Sequence, residues 1–253
     1  MAAELVLLSP LDGWAAPLAE VPDPVFAQAM LGDGVAVDPT GSVLHAPCDG
    51  VVISVHAARH AVSLRAEGGV ELLMHVGLDT VTLGGAGFEV HVAEGQAVRA
   101  GERLISFDLA VLADRAKSLI TPIIVTDAAG RSIAARTTGA AAKAGDRLLT
   151  LSAPLGAVET SVAAGPELTR AIVVPLAHGL HARPAARVAE LAKRFQAEVS
   201  LMALNRRANA RSPVGIMSLG LRHGDAATLV AAGRDAAAAL EALAELIEGG
   251  MGE

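Results

Sequence analysis

The sequence predicts two domains, an all-β sandwich or barrel followed by an α+β open-faced sandwich. Three observations lead to this fold class. Before about residue 153, short β-branched segments alternate with glycine-rich turns. After about residue 168, strands alternate with helices of clear 3.6-residue period. Between them, residues 153–167 combine small residues with prolines and show no periodicity, as a flexible linker does. The predicted domains are therefore residues 1–152 and 168–249.

The elements of each domain follow in chain order. In the first domain we predict strands at 51–55, 61–66, 69–77, 79–85, 102–107, 122–127 and 147–151, with one short helix at 109–117. In the second we predict strands at 169–176, 198–204, 206–211 and 227–232, with helices from Ala182, at 213–218 and at 235–248. This order implies an antiparallel sheet with helices packed on one face. The last five residues, GGMGE, look like the start of another linker, so we expect the natural protein to continue beyond them.

Composition narrows the class of protein. Hydrophobic residues make up 52% of the 253 residues but aromatic residues only 2%, so the cores must consist of small aliphatic side chains. No segment approaches the roughly 18 to 20 apolar residues of a membrane span, and the N-terminus lacks the basic start of a signal peptide. The single cysteine, Cys48, excludes an internal disulfide framework. A net charge of −7 without a basic stripe argues against nucleic acid as a partner. We therefore expect a cytoplasmic protein that is not inserted in a membrane.

His181 stands at the predicted start of a helix, in the segment GLHARPAA. Pro184 lies in the first turn, where its missing N–H costs least. The unpaired N–H groups of Ala182 and Arg183 would then face an anion attached to His181, and the helix dipole favours that anion. The Arg183 guanidinium suits phosphate oxygens, and a neutral imidazole is a competent nucleophile near pH 7. These features predict a phosphate acceptor at His181, although a histidine that only caps a helix would fit the same local pattern.

Ser212 precedes Pro213 at the start of another predicted helix. Serine is a favoured N-cap and proline a favoured first helical residue, so we interpret Ser212 as a structural cap. A phosphate at a helix start would also be stabilised, which leaves regulation by phosphorylation as the alternative.

His60 precedes the predicted strand at 61–66, and His75 lies near the end of the next predicted strand, which a Glu67-Gly68-Gly69 turn connects to the first. A symmetric hairpin of this length brings its two ends side by side. One imidazole could then attack phosphorus while the other donates an N–H to the incoming oxygens. Asp79 could orient one of the rings or remain exposed. Paired histidines are also common zinc ligands, but the spacing shows no obvious third ligand.

The second domain resembles HPr, the histidine phosphocarrier of the bacterial phosphoenolpyruvate-dependent sugar phosphotransferase system. The segment GLHARPAA and the order of elements over about 167–249 carry this resemblance. It implies that His181 accepts phosphate on Nδ1 from enzyme I and that Arg183 stabilises the transferring group. His178 departs from the small polar residue common at that position. In this family a serine at the position of Ser212 is a regulatory phosphosite in some bacteria.

The first domain resembles enzyme IIA of the glucose type. The segments HAPCDGVV (45–52) and GVELLMHVGLDTV (69–81) carry the resemblance, which spans about residues 5–152. It implies a flattened β-sandwich in which His75 accepts phosphate on Nε2 and His60 supports it by hydrogen bonding. Ala58 and Arg59 stand where this family often has a hydroxyl residue that orients the supporting ring.

Both resemblances point to one pathway and predict a fused IIA–HPr carrier. Phosphate from phosphoenolpyruvate would enter at His181 from enzyme I, pass to His75, and move to a cysteine on the IIB domain of a sugar permease. The carrier needs no cofactor beyond its phosphohistidines, and no metal is expected. Fusions of this type often carry an enzyme I module after HPr. Two alternatives stay open: a regulatory module that binds partners according to its phosphorylation state, and a zinc hydrolase of the lysostaphin class.

Overall fold

The structure is a computed structural model that describes residues 3–154 and 166–252. The chain divides into two compact units, one within residues 1–158 and the other within residues 159–253, and each is described by itself. Most of the predicted linker, residues 155–165, lies outside the described residues. Within the described residues, no helix has both the length and the apolar character needed to cross a membrane.

The first unit is built from antiparallel strands in three sheets. Its strands are β1 (Leu5–Leu8), β2 (Gly13–Pro17), β3 (Asp33–Pro39), β4 (Val43–His45), β5 (Gly50–Val55), β6 (Ala61–Ala66), β7 (Glu71–His75), β8 (Phe88–Val90), β9 (Ala97–Val98), β10 (Arg103–Phe107), β11 (Thr121–Asp127), β12 (Ile133–Arg136), β13 (Ala140–Ala142) and β14 (Arg147–Leu151). An eight-stranded sheet has the order β13-β2-β3-β11-β7-β6-β5-β9, and two three-stranded sheets have the orders β1-β14-β12 and β4-β10-β8. This is a β-sandwich and not a closed barrel. Its short helices are α1 (Pro24–Ala27) and α2 (Leu109–Arg115).

The hairpin of β6 and β7 forms as the sequence predicts. Val62 pairs with Met74 and Leu64 with Leu72, and the register continues to Ala61 opposite His75. These apolar side chains belong to the core of the unit, so burial fixes the register. The connection is a 3₁₀ turn over Glu67–Gly69 in which Gly68 has a φ of 75°, a conformation that glycine adopts without strain. The hairpin therefore brings the two predicted histidines to the same end.

The prediction of a strand at 79–85 is wrong, because residues Thr80–Leu83 form a 3₁₀ helix. Threonine and valine favour strands locally, but the backbone turns on both sides of them. Asp79 has a left-handed φ of 56°, and Gly84 closes the helix with a φ of 60°. The Thr80 hydroxyl donates to the carbonyl of Val76 at 2.8 Å, which holds this segment directly after β7.

The second unit is a four-stranded antiparallel sheet of order β15-β18-β16-β17 with three helices. Alternate residues of the sheet, such as Leu201 and Leu229, enter the core with the helices, while Val173 and Met202 on the other face are exposed. This confirms the open-faced sandwich. Its strands are β15 (Leu168–Val173), β16 (Glu198–Ala203), β17 (Arg206–Asn209) and β18 (Ala226–Ala232), and its helices are α3 (Ala182–Ala192), α4 (Pro213–Ser218) and α5 (Ala236–Glu248).

The segment after α5 differs from the expectation of a linker. Residues 250–252 form a 3₁₀ turn, and the Met251 side chain is 8% exposed and packs in the core of the second unit. The Arg187 guanidinium donates to the carbonyl of Met251. Glycines on both sides made these residues look unstructured, but one apolar side chain between them docks on the helical face.

Candidate active site

His60 and His75 lie together at one end of the β6–β7 hairpin. His75 is the last residue of β7, and His60 immediately precedes β6. Their ring centroids are 4.6 Å apart with an interplanar angle of 69°, an edge-to-face arrangement. Both side chains are buried, with 2% exposure for His60 and 7% for His75. The adjacent pair predicted from the sequence is therefore present.

The His75 ring is oriented by the backbone that follows it. Its Nδ1 lies 2.8 Å from the carbonyl oxygen of Gly77. A carbonyl only accepts, so Nδ1 carries the proton and the lone pair of the neutral ring is on Nε2. Gly77 has a φ of 68°, and a Cβ there would lie 2.9 Å from the Thr80 methyl and 3.0 Å from the Ser118 carbonyl. Glycine is thus required for the carbonyl to reach the ring.

Apolar rings flank the two histidines. Phe26 lies 5.4 Å from His75 between ring centroids, and Phe88 lies 6.5 Å from His60. Phe26 is carried by α1, whose N-cap Asp23 accepts a hydrogen bond from the Val25 N–H. Sequence reasoning missed Phe26, because α1 is one turn long and lies far from the hairpin in the chain.

A third imidazole also belongs to this cluster. The His56 ring is 4.5 Å from the His60 ring between centroids, about as close as the His75 ring at 4.6 Å. The sequence pattern around His56 predicts no role for it. Its position next to His60 depends on the turn between β5 and β6, which no local motif indicates.

Asp79 and Arg59 occupy exposed positions near the cluster. Asp79 starts the 3₁₀ helix after β7, and its carbonyl accepts the Thr82 hydroxyl at 2.8 Å. The Asp79 side chain is exposed, and a role for it in orienting a histidine ring stays a prediction. Arg59 has a left-handed φ of 60° at the turn before His60.

His181 is the N-cap residue of α3, as predicted. The helix begins at Ala182, and the first backbone bond runs from the Ala185 N–H to the His181 carbonyl at 3.0 Å. The N–H groups of Ala182 and Arg183 precede that bond, so they are the terminal donors of the helix. The His181 side chain accepts no capping hydrogen bond within the described helix. The ring is half-buried beside donors suited to an anion.

The loop before His181 is fixed by close backbone contact. The Leu180 N–H donates to the Leu221 carbonyl at 3.0 Å. A Cβ on Gly179, whose φ is 69°, would lie 2.0 Å from that same carbonyl oxygen. Glycine is therefore obligatory here, and it fixes the backbone position from which the His181 side chain extends. The exposed His178 ring lies 6.4 Å from the His181 ring between centroids.

Ser212 is the N-cap of α4, as the structural interpretation predicts. Its hydroxyl accepts the Gly215 N–H at 3.0 Å, and Pro213 occupies the first helical position. The capping role accounts for the residue types at this position.

His45, His91 and Cys48 are the other histidines and the single cysteine of the first unit, and each could in principle bind a metal. His45 Nδ1 is 3.2 Å from the Pro10 carbonyl, and His91 Nε2 is 2.7 Å from the Ser106 hydroxyl. Burial raises the pKa of the Cys48 thiol to about 12, with a smaller contribution from Asp49, so it is a poor thiolate ligand near neutral pH. In the part of the chain that the structure describes, no group of three or more His, Cys, Asp or Glu side chains is arranged to hold a metal ion.

Comparison with known protein families assigns both units. Residues 5–130 match the model of the EIIA 1 component of the phosphoenolpyruvate-dependent sugar phosphotransferase system. Residues 168–249 match the model of the phosphorylation site of the HPr component of the same system.

Individual relatives agree with these matches. The chain is 49% identical over 142 residues to a glucose-specific EIIA component of Bacillus cereus, covering 56% of this chain and 86% of the relative. It is 54% identical over 128 residues to a glucose-specific EIIBCA component of Corynebacterium glutamicum, covering 50% of this chain and 19% of the relative. Among solved structures, the glucose permease IIA of Mycoplasma capricolum is 39% identical, covers 58% of this chain and 95% of that chain, and has a TM-score of 0.56.

Proteins of this system interact in general with enzyme I and with the IIB and IIC domains of sugar permeases, and the Corynebacterium relative carries an A component within a longer EIIBCA chain. Each unit matches its own family model, and both models describe phosphoryl carriers of one system. The chain therefore belongs to the glucose-type enzyme IIA family, with an HPr domain fused after it, and is a phosphoryl carrier of the phosphoenolpyruvate-dependent sugar phosphotransferase system.

Proposed function

We propose that phosphate enters this carrier at His181 and leaves it from His75. The observation that carries the proposal is the 2.8 Å hydrogen bond from His75 Nδ1 to the Gly77 carbonyl. It assigns the reactive lone pair to Nε2, on a ring that lies against the buried His60. Nδ1 keeps its proton throughout, so the ring attacks as a neutral nucleophile and needs no separate base.

At His181 the helix start supplies the electrostatic stabilisation. The backbone N–H groups of Ala182 and Arg183 and the positive end of the α3 dipole face the attached phosphoryl group. The half-buried Arg183 adds a guanidinium whose planar fork matches phosphate oxygens. Phosphoryl transfer needs mainly alignment and charge neutralisation, and these groups provide both.

In the onward step the P–N bond to His181 breaks as a P–N bond to His75 Nε2 forms. The electron pair of the broken bond stays on the His181 ring, so nothing is oxidised or reduced. In this proposal the His60 ring, 4.6 Å from the His75 ring between centroids, donates its ring N–H to the phosphoryl oxygens. Asp79 is exposed in the turn after β7, and the proposed step assigns it no role.

The partners in the proposal are enzyme I as the donor to His181 and a IIB domain as the acceptor from His75. Phosphoenolpyruvate is the original source of phosphate, and the phosphohistidines take the place of a cofactor. We place the reaction in the cytoplasm, because the buried Cys48 is a free thiol of the kind that persists in a reducing compartment.

The relay is tested by counting phosphates on the full chain. The protein is incubated with phosphoenolpyruvate and catalytic enzyme I, and its intact mass is recorded under alkaline conditions that preserve phosphohistidine. We expect two phosphates on the wild type, one on His75→Ala and none on His181→Ala. His60→Ala should still acquire the first phosphate and should acquire the second much more slowly.

His91→Ala is the matched control: the His91 ring is hydrogen-bonded to the Ser106 hydroxyl and has no part in the proposed relay, so its loss should leave both phosphates in place. Any phosphate on His181→Ala in the absence of another HPr would contradict the order of the relay. Absence of acid-labile phosphate on the wild type, with a competent HPr control, would refute the residue assignments altogether.

A further inference from the structure

The supporting histidine, His60, contacts two other imidazoles. His75 lies 4.6 Å from it and His56 lies 4.5 Å from it, both measured between ring centroids. The angle between the His56 and His60 rings is 59°. Only the His75 contact has a role in the relay proposed above, so the His56 contact calls for its own explanation.

The His56 ring is fixed by the turn between β5 and β6. Its Nδ1 accepts the backbone N–H of Ala58 at 3.2 Å, which leaves the ring proton on Nε2 in the neutral form. The His56 N–H donates to the Ala61 carbonyl at 2.9 Å, and the His56 carbonyl accepts the Arg59 N–H at 2.7 Å. Backbone and ring bonds together therefore hold His56 in one position beside His60.

A histidine ring needs such a neighbour to have one orientation. The torsion that rotates the imidazole about its bond to Cβ is broad and roughly two-fold, so the side chain alone does not choose which nitrogen faces a partner. A half-turn of the His60 ring would exchange Nδ1 and Nε2 with little change in shape. Contact with neighbouring rings decides between these states.

We propose that His56 is a positioning residue, whose ring holds the His60 imidazole in the orientation that supports phosphorylated His75. This inference rests on the proposed relay and adds a residue to it. His56 acts through His60 and does not touch the phosphoryl group. The aromatic ring of His56 performs this role, and its hydrogen bond to Ala58 shapes the turn.

Two substitutions separate the ring from the hydrogen bond. His56→Asn keeps an oxygen that can accept the Ala58 N–H but removes the ring. His56→Phe keeps a ring of similar size but cannot accept the N–H. If the ring positions His60, His56→Asn should slow the second phosphorylation strongly and His56→Phe only slightly. If His56 only builds the turn, His56→Phe should be the more harmful of the two.

The readout is the rate at which each phosphate arrives on the full chain. Samples with phosphoenolpyruvate and catalytic enzyme I are quenched in alkali over time, and singly and doubly phosphorylated masses are counted. We expect His56→Asn to slow the second phosphate about tenfold, less than the roughly hundredfold loss that a 1 Å misplacement can cause. His56→Phe should restore most of that loss. The first phosphate, on His181, is the internal standard and should be unchanged in both.

A second readout does not depend on phosphoryl transfer. In the unphosphorylated protein, the ¹⁵N chemical shifts of the His60 ring report which nitrogen carries the proton. We expect one defined tautomer in the wild type and in His56→Phe, and averaged shifts in His56→Asn. His91→Ala is the control for removing a half-buried histidine elsewhere in the unit.

The results that would overturn the inference are specific. Positioning by the ring would be refuted if His56→Asn acquired the second phosphate at the wild-type rate. It would also be refuted if His56→Asn and His56→Phe acquired it at the same reduced rate. If the wild type itself acquired no second phosphate, the relay would fail, and the His60 ring shifts would then decide the positioning role alone.

Discussion

At the scale of single residues, the backbone gives each of the two predicted phosphate acceptors a defined setting. At His75 the Gly77 carbonyl accepts a hydrogen bond from Nδ1, so the lone pair of the neutral ring is on Nε2, the atom to which we propose that phosphate attaches. At His181 the preceding Gly179 sits so close to the Leu221 carbonyl that no other residue fits, and the helix donors follow at once. Glycines thus set the backbone conformation next to both histidines.

The buried cysteine allows a prediction at this same scale. Cys48 is 5% exposed, and burial raises its pKa to about 12 from 9.0. Because the thiolate is the reactive form, we expect iodoacetamide at pH 8 to leave the native protein unmodified and to alkylate it fully in urea. Intact mass measures both states. Rapid alkylation of the native protein would contradict this burial.

The raised pKa of Cys48 also makes the stability of the folded protein depend on pH. The folded protein keeps the Cys48 proton where the unfolded chain has lost it, so the contribution is present below about pH 9 and is lost as the pH rises toward 12. Cys48→Ser in the full chain should reduce this alkaline loss, as seen in the midpoint of thermal unfolding between pH 8 and pH 10.5.

At the scale of elements, one carboxylate joins the start of α5 to the start of β16. Asp235 is the N-cap residue of α5, and its side chain accepts the N–H groups of Gln196 at 2.9 Å and Ala197 at 2.7 Å. These donors lie just before β16, in a segment that also carries the Ala197 side chain into the core. The contact orders the connection between α3 and the sheet.

These hydrogen bonds hold the pKa of Asp235 below its usual value, with Gln196 contributing most and Ala197 next. A lowered pKa gives stability that is present above the unfolded value of 3.8 and is lost as the pH falls below it. We therefore expect Asp235→Ala to lower the melting temperature of the second unit at pH 7 and to reduce its further loss at pH 3. Circular dichroism on the full chain measures the melting temperature.

Hydrogen exchange locates the effect, because Asp235→Ala should speed exchange in the peptide covering residues 196–203. Glu190→Gln is the control: its exposed pair with Arg194 is of a kind that contributes little to stability. Unchanged exchange at residues 196–203 in Asp235→Ala would show that the two N–H bonds are not what holds this connection.

At the scale of the whole molecule, the sequence predicts best what is local. His181, Arg183 and Ser212 stand in short motifs whose neighbouring residues, such as the prolines that follow, already predict a helix start. The structure places all three at helix starts. The hairpin carrying His60 and His75 is likewise defined by adjacent segments.

The features that could not be predicted from the sequence depend on contacts between distant segments or on a positive backbone φ. The pairing of β1 with β14 joins the two ends of the first unit, and Phe26 reaches His75 from a separate helix. Residues 79–85 have strand-forming side chains, but the left-handed Asp79 makes them a 3₁₀ helix. His56 gained its neighbour only through the turn that follows β5.

The fusion itself yields the last prediction, which concerns how phosphate moves between the two units. Pro154 and Pro166 are separated by a chain that can span at most about 40 Å. A short tether holds one site at an effective concentration of roughly millimolar near the other. We therefore expect the second phosphate on wild-type chains to appear at a rate that does not change between about 1 and 100 μM protein, well below that effective concentration.

The comparison is a mixture of His75→Ala and His181→Ala chains, where transfer must occur between molecules and the rate should rise in proportion to concentration. A wild-type rate that rises with concentration in the same way would mean that His181 serves the His75 of another chain.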